Sequence, residues 1–442
     1  MIKKATYTSI VSLMLLGYSQ LGATDWLSVA GTEPTYKQKA GKKVLNQDIS
    51  PHIWGFLQVG YQKDYGTIVD KGGINKTPFV MLPPSLDTQS GFEVNRARIA
   101  VRGMFDKHNT LNYFFMLEFG EDGITKPAGH SVGNYLTDAS ITYNPTQDIH
   151  LRFGQFKYPG SEEGMRAVFT SAYRNFSTAS SQLLLERFLP NDAQLINGNY
   201  QAAPEQSVGA FRDRGVELFT TQQIDDDLRA SVAGMIGNGT GMSSLNASGE
   251  LTYYGYLAME YLFHKGKGYY TESFKGFVWY QDGTRRLNNQ NYDRVRYGLG
   301  CNYFKDGLRV GVEYIKAKGM IYNGAVDVDT DVYATNWEYK IAPGKENEAD
   351  GGYINVAYFV VPKKVELMVR YDYLHRLTNL YATGGERDYK TTTLGVSYHF
   401  KGATRIDCNY AFRSLDAPNN QGAQTIVENM DNLLSIQATL KF

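Results

Sequence analysis

From Leu434 to Phe442 the chain alternates apolar and polar side chains without a break. Leu434, Ile436, Ala438, Leu440 and Phe442 fall on one side of an extended backbone, and Ser435, Gln437, Thr439 and Lys441 on the other. The same period recurs upstream. Val365, Leu367, Val369, Tyr371 and Tyr373 form an apolar face opposite Glu366, Arg370 and Asp372. Leu111, Tyr113, Phe115, Leu117 and Phe119 oppose Asn112 and Glu118, and Leu308, Val310, Val312 and Tyr314 oppose Arg309 and Glu313. A strand of about ten residues, apolar outward and polar inward, is what a membrane-spanning barrel requires. A soluble sandwich also shows half-buried alternation, so no single run decides the class.

The pattern predicts strands over 51–64, 90–106, 108–120, 135–144, 147–158, 210–222, 227–238 and 249–264. It continues over 268–283, 291–305, 307–319, 350–361, 364–377, 387–400, 402–415 and 430–442. Short turns at 105–108, 144–146, 223–227, 264–268, 305–307, 362–363 and 401–402 alternate with long connections at 65–89, 121–134, 159–209, 239–248, 284–290, 320–349, 378–386 and 416–429. Fifteen connections imply sixteen strands with both termini on the short-turn side. Closed outer-membrane barrels segregate their connections in this way, with brief periplasmic turns and longer external loops, whereas sandwiches and propellers do not. The expected fold is therefore all-β, a 16-stranded antiparallel transmembrane barrel over 51–442. Two segments resist assignment: 329–340 reads as loop or as an extra hairpin arm, and neither parity of 274–281 is cleanly apolar.

Composition agrees with this picture. Lys+Arg and Asp+Glu are both 45, so no net charge recruits nucleic acid. Tyr is 33, Gly 45 and Pro 13, a balance that favours strands, turns and interfacial aromatic belts. Mean hydropathy is −0.38, which a polar lumen and a soluble protein share. Residues 1–23 read as a secretory signal: Lys3 and Lys4, an apolar core from Ile10 to Gly17, and small residues before cleavage after Ala23. Residues 24–50 are polar and basic without periodicity, a periplasmic lead-in. Cys301 and Cys408 share parity with outward residues on strands that are not neighbours, which predicts two free thiols. His52, His108, His130, His150, His264, His375 and His399 show no zinc-ligand spacing, and His108 and His399 read as surface residues. No nucleophile setting, Walker loop or dinucleotide loop is present, and neither catalysis nor a cofactor is expected.

Three stretches resemble the phosphate-selective porin O/P family. They are Gly91-Phe92-Glu93-Val94-Asn95-Arg96-Ala97-Arg98-Ile99-Ala100-Val101-Arg102-Gly103, Leu151-Arg152-Phe153-Gly154-Gln155-Phe156-Lys157-Tyr158-Pro159 and Arg212-Asp213-Arg214-Gly215-Val216. The terminal Phe442 also looks like the final strand that outer-membrane assembly machinery recognises. The resemblance implies a sixteen-stranded homotrimer in the outer membrane whose third long loop folds inward to narrow the pore. That loop, 159–209, holds a helix-like stretch from Ser180 to Leu189. An ordered loop of this length is usually functional. It either folds inward as a constriction, packs over the rim, or makes a trimer contact.

Anion preference needs cationic side chains along the passage. Arg96, Arg98 and Arg102 share one strand face, and Arg152, Arg294, Arg296, Arg370, Arg405 and Arg413 extend a candidate ladder of bidentate anion sites. Against it stand the inward carboxylates Glu118, Asp213, Glu217, Glu260, Glu313, Glu366, Asp372 and Asp407, which leave a solvated lumen of balanced charge as the other reading. The third loop sets Glu162, Glu163, Glu186, Asp192 and Glu205 against Arg166, Arg174 and Arg187, the reverse of what a phosphate trap wants. Three function classes follow: a porin for small hydrophilic solutes with an anion or phosphate preference, a barrel enzyme at the membrane surface, and a filled barrel serving as adhesin or anchor.

Overall fold

The computed structural model describes residues 49–442 except 68, 72–73, 77–89, 121–135, 147, 186–194, 197–198, 201–208, 243–248, 264, 266–270, 288–289, 325–339 and 378–384, together with the backbone of 36–39 and 42–45. The signal segment, Glu186, Arg187, Asp192 and Glu205 lie outside the described residues.

Sixteen strands close into one antiparallel barrel. They are β1 (His52–Asp64), β2 (Ser90–Met104), β3 (Leu111–Glu118), β4 (Leu136–Tyr143), β5 (Ile149–Lys157), β6 (Arg212–Gln223), β7 (Leu228–Gly237) and β8 (Thr252–Leu262). The second half is β9 (Ser273–Leu287), β10 (Gln290–Lys305), β11 (Leu308–Lys318), β12 (Glu348–Val361), β13 (Val365–Leu377), β14 (Arg387–Lys401), β15 (Thr404–Asp416) and β16 (Leu433–Lys441). Each strand pairs with its successor, and β16 pairs with β1 to seal the cylinder.

Parity sorts the wall as the alternation predicts. Leu367, Val369 and Tyr371 of β13 are exposed on the outside while Glu366, Arg370 and Asp372 are buried inside. Ile436, Leu440 and Phe442 face out, with Ser435, Gln437 and Thr439 within. On β2 the parity switches at Asn95, where the register with β1 skips a residue. Phe92 and Val94 are exposed before this bulge and Ile99 after it, so Asn95 and Arg96 both turn inward. Cys301 and Cys408 are free, on β10 and β15.

The structure corrects the expectation for 268–283. The strand is Ser273–Leu287, preceded by a connection over 263–272 and followed by residues 288–289 alone, so the alternation of short and long connections breaks there. Its outer face carries exposed Phe274, Val278 and Tyr280, while Phe277 and Trp279 are buried on the inner face. The inner face mixes aromatic Phe277 and Trp279 with Lys275 and Gln281 because this part of the lumen is packed with side chains rather than open. Small hairpins add to the barrel. Tyr36–Lys39 pairs with Lys42–Leu45 inside the lead-in, and Ile321–Gly324 pairs with Lys340–Ala342, so Lys340 belongs to a strand while 329–339 lie outside the described residues. Among the described residues no helix is long and apolar enough to cross a membrane.

Candidate permeation pathway

The long connection between β5 and β6 is anchored at its root by residues of two of the quoted motifs. Gly154 has φ +129° and lies against β4, where an added Cβ would come within 2.1 Å of the Ala139 carbonyl oxygen. Only glycine fits that approach. Beside it, Gln155 donates to the Leu136 and Thr137 carbonyls (2.9 and 3.0 Å) and accepts from Arg214 Nε at 2.9 Å. Arg212 grips Asp138 through two nitrogens at 3.0 and 2.9 Å. Asp213 accepts from Gly239 N–H at 2.6 Å and Tyr254 Oη at 2.8 Å. Lys157 donates to the Gly164 and Arg166 carbonyls at 2.8 and 2.7 Å, satisfying backbone groups at the end of α1 (Glu162–Met165).

From this root residues 158–185 of the connection bond to inward-facing side chains around the barrel. Ser161 Oγ donates to Glu313 of β11 at 3.0 Å, and Glu162 accepts from Tyr256 of β8, Lys275 of β9 and Asn302 of β10 at 2.5, 2.6 and 3.2 Å. Arg174 pairs with Glu93 of β2, and its N–H donates to Asn409 of β15 at 3.1 Å. Thr178 N–H donates to Asp372 of β13 at 2.8 Å. These groups sit across the bore from one another, so the segment runs through the lumen. The expected helix at 180–189 begins earlier, as α2 (Thr178–Leu183), because Ser177 caps it by accepting from Ser180 N–H. Leu183, Leu184 and Leu185 are buried against Tyr254, Tyr256, Phe277 and Trp279. Each such leucine contributes about 1.5–3 kcal/mol of burial, which holds the loop against the β6–β12 wall.

The arginines of the candidate ladder face inward, but packing and pairing occupy them. Arg96 donates to Gln58 at 2.8 Å, Arg98 to Glu118 at 2.5 Å, and Arg102 lies over the Trp54 ring. Arg152 pairs with Glu217 at 3.2 Å between the rings of Phe156 and Phe219. Arg294 and Arg296 donate to the Leu183 carbonyl at 3.2 and 2.8 Å, tethering α2. Arg405 joins Asp407 at 2.8 Å and donates to the Phe169 carbonyl at 2.8 Å. Arg370 holds Asp372 at 3.1 Å, Glu163 at 3.6 Å and the Asn175 carbonyl at 3.0 Å; Arg413 holds Asp64 at 2.8 Å. Glu260 is paired with Arg229 at 2.5 Å. His399, expected at the surface, is buried in the lumen against Glu366 at 3.2 Å, and Arg309 holds the same carboxylate at 3.1 Å.

Two cavities share Tyr173 of the loop as a wall. The first lies toward the long-connection end and is lined by Gln62, Asp64, Arg370, Asp372, Thr391 and Arg413 among others. Its two arginines face two carboxylates and pair with them. The second lies toward the short-turn end, with Arg166, Arg309, Glu366, Asn302 and Asn355 in its lining. Two arginines face one glutamate there. Arg309 takes that glutamate, and among the described residues Arg166 has no ion-pair partner, its Nε lacking any hydrogen bond. Tyr173 stands between the cavities, 4.6 Å beneath the Arg370 guanidinium, and burial pushes its hydroxyl pKa up, so it stays neutral. Tyr173 carries no signal in the sequence, since parity says nothing of a loop's path.

No protein-family model matches the chain, and no curated protein matches it. Solved structures do. The anion-selective porin from Comamonas acidovorans superposes with a TM-score of 0.52 at 12% identity, covering 89% of this chain and 99% of that one. The OmpF of Salmonella typhi in complex with daunomycin gives a TM-score of 0.48 at 12% identity, with 90% and 99% covered. The in-vitro folded trimer form of OmpT from Vibrio cholerae gives 0.47 at 14% identity, with 89% and 99% covered. The first of these likenesses identifies the fold, a porin-like sixteen-stranded barrel.

Proposed function

We propose that this chain is an outer-membrane porin through which small hydrophilic solutes diffuse passively. One observation carries the reading: inside a closed barrel two cavities, one toward each end and each lined in part by polar side chains, share the same residue, Tyr173. Asn355 Oδ1, Tyr173 Oη and Arg166 Nε, all buried and without a hydrogen-bond partner among the described residues, border the second cavity. Water is the partner such atoms need. The outward apolar residues need acyl chains, and the signal-like start agrees with export to the outer membrane. Arg166 supplies a modest anion preference, the first cavity being internally neutralised. The resemblance to the phosphate-selective family adds phosphate as a candidate solute and a homotrimer as the assembly.

Packing of α2 against Phe277, Trp279 and Tyr256 favours a second reading, a filled barrel that anchors or adheres without conducting. Purified, folded protein in planar bilayers separates the two. Open-channel steps, with a reversal potential in a salt gradient on the anion-permeable side, support the porin. Their absence from correctly folded material refutes it. Repeating the recording in chloride, phosphate and acetate ranks the anions, and cross-linking reads the assembly.

A further inference from the structure

A cluster on the outer wall has no part in the lumen. His375 of β13 and Asp388 of β14 are directly paired in register, and both project outward at the long-connection end. The imidazole Nδ1 lies 2.7 Å from Asp388 Oδ1, and Nε2 lies 3.9 Å from Glu386 Oε1. One ligand atom from each of the three residues falls within 4.8 Å of the others. All three side chains are partly exposed, between a quarter and two-fifths, so an ion reaches them from solvent.

The surrounding charges single this spot out. Asp388 is also directly opposite Asp416 of β15. Like charges facing each other across strands are destabilising. Elsewhere on this rim lysines answer some of the carboxylates: Glu348 is paired with Lys316 and Lys318 at 2.7 and 2.8 Å, and Asp293 with Lys345. Among the described residues no Lys or Arg makes an ion pair with Glu386, Asp388 or Asp416, and Asn419 donates to Glu386 as a neutral partner. Two carboxylates thus meet one imidazole, a third stands across the strand from one of them, and among the described residues no Lys or Arg pairs with any of the three.

We propose that His375, Glu386 and Asp388 bind a borderline divalent transition-metal ion of the zinc class. Imidazole nitrogen with carboxylate oxygen suits zinc, copper or nickel, whereas calcium and magnesium prefer all-oxygen shells. Binding draws the three donors to about 2.0–2.2 Å from the ion and leaves the remaining positions to water. Asp416 adds field without ligating.

The test uses tag-free, folded protein in detergent, titrated calorimetrically with Zn²⁺ and with Ca²⁺ as the hard-ion control, and with Co²⁺ for its visible absorption. One Zn²⁺ per chain is expected. Affinity is expected to fall about tenfold or more in both H375A and D388N, with a matching loss of the Co²⁺ bands. Far-UV circular dichroism and bilayer conductance remain unchanged, because these side chains face away from the lumen. H375Q replaces H375A if the latter folds poorly. The proposal is overturned by the absence of saturable Zn²⁺ binding, by binding unaffected by either substitution, or by Ca²⁺ binding as tightly as Zn²⁺.

Discussion

Glu162 is the carboxylate on which the inward path of the long connection turns, and its replacement has a computable cost. It is 1% exposed, opens α1, and accepts hydrogen bonds from three successive strands. Its ion pair with Lys275 is buried on both sides, at 1% and 4% exposure. Removing one partner of such a pair costs about 3–5 kcal/mol, because the other charge is left in a medium that solvates it poorly. E162A and K275M are each expected to lose that amount. An apolar pair of similar volume is close to neutral, so the double variant E162L/K275M is expected to be more stable than either single one. Additive singles would instead lose about 6–10 kcal/mol. Urea unfolding of protein refolded into lipid vesicles, followed by tryptophan fluorescence, measures all three, with Trp279 close by as reporter. If E162A costs less than about 1 kcal/mol, or if the two losses simply add, the pair does not anchor the loop.

Three further outcomes are expected. Replacing Arg166 with Ala removes from the second cavity a cation with no ion pair among the described residues; a unit charge at 4 Å in water is worth about 1 kcal/mol, so anion-over-cation permeability falls by up to about fivefold, and an unmoved reversal potential rejects its role. Gly154→Ala forces a positive φ on a side chain that also meets the Ala139 carbonyl, a loss of at least about 1–3 kcal/mol that appears as poorer folding yield and a lower Tm; wild-type behaviour would show the site is less tight. Desolvation raises the carboxyl of Asp106, in the turn after β2, but hydrogen bonds from the Thr110, Leu111 and His108 N–H groups together pull it below the ordinary value. A depressed carboxylate stabilises above its unfolded pKa and stops doing so as pH falls through its folded pKa. The Tm advantage of wild type over D106N is therefore constant well above pH 3.8 and shrinks below it; an advantage that persists in acid contradicts this.

The wall of the barrel was legible because lipid imposes a strict rule on every second residue, as in Leu367, Val369 and Tyr371. What lies inside obeys no such rule. Parity puts Arg152 and Arg296 in the lumen but cannot say that Phe156 and Phe219 sandwich one, or that the Leu183 carbonyl holds the other. Phe277 and Trp279 confused the pattern for the same reason: they pack with Leu183, Leu184 and Leu185 of the long connection, brought from far along the chain. His375 and Asp388 escaped a search by spacing because cross-strand register unites them. The motif residues 154–157 and 212–214 were informative because they form the fixed root of a variable loop, where glycine conformation and buried ion pairs permit few alternatives.

The seam between β16 and β1 has a consequence for how the molecule comes into being. Gln58 donates to Thr439 across 381 residues of sequence, and Gly55 and Phe442 exchange backbone hydrogen bonds of 3.0 Å in both directions. None of these bonds can form until nearly the whole polypeptide has emerged, and contacts so distant are slow to find one another. Meanwhile both lips of the sheet stay unzipped and liable to pair with strangers. Whatever escorts this polypeptide through water must keep those two lips apart from every partner except each other.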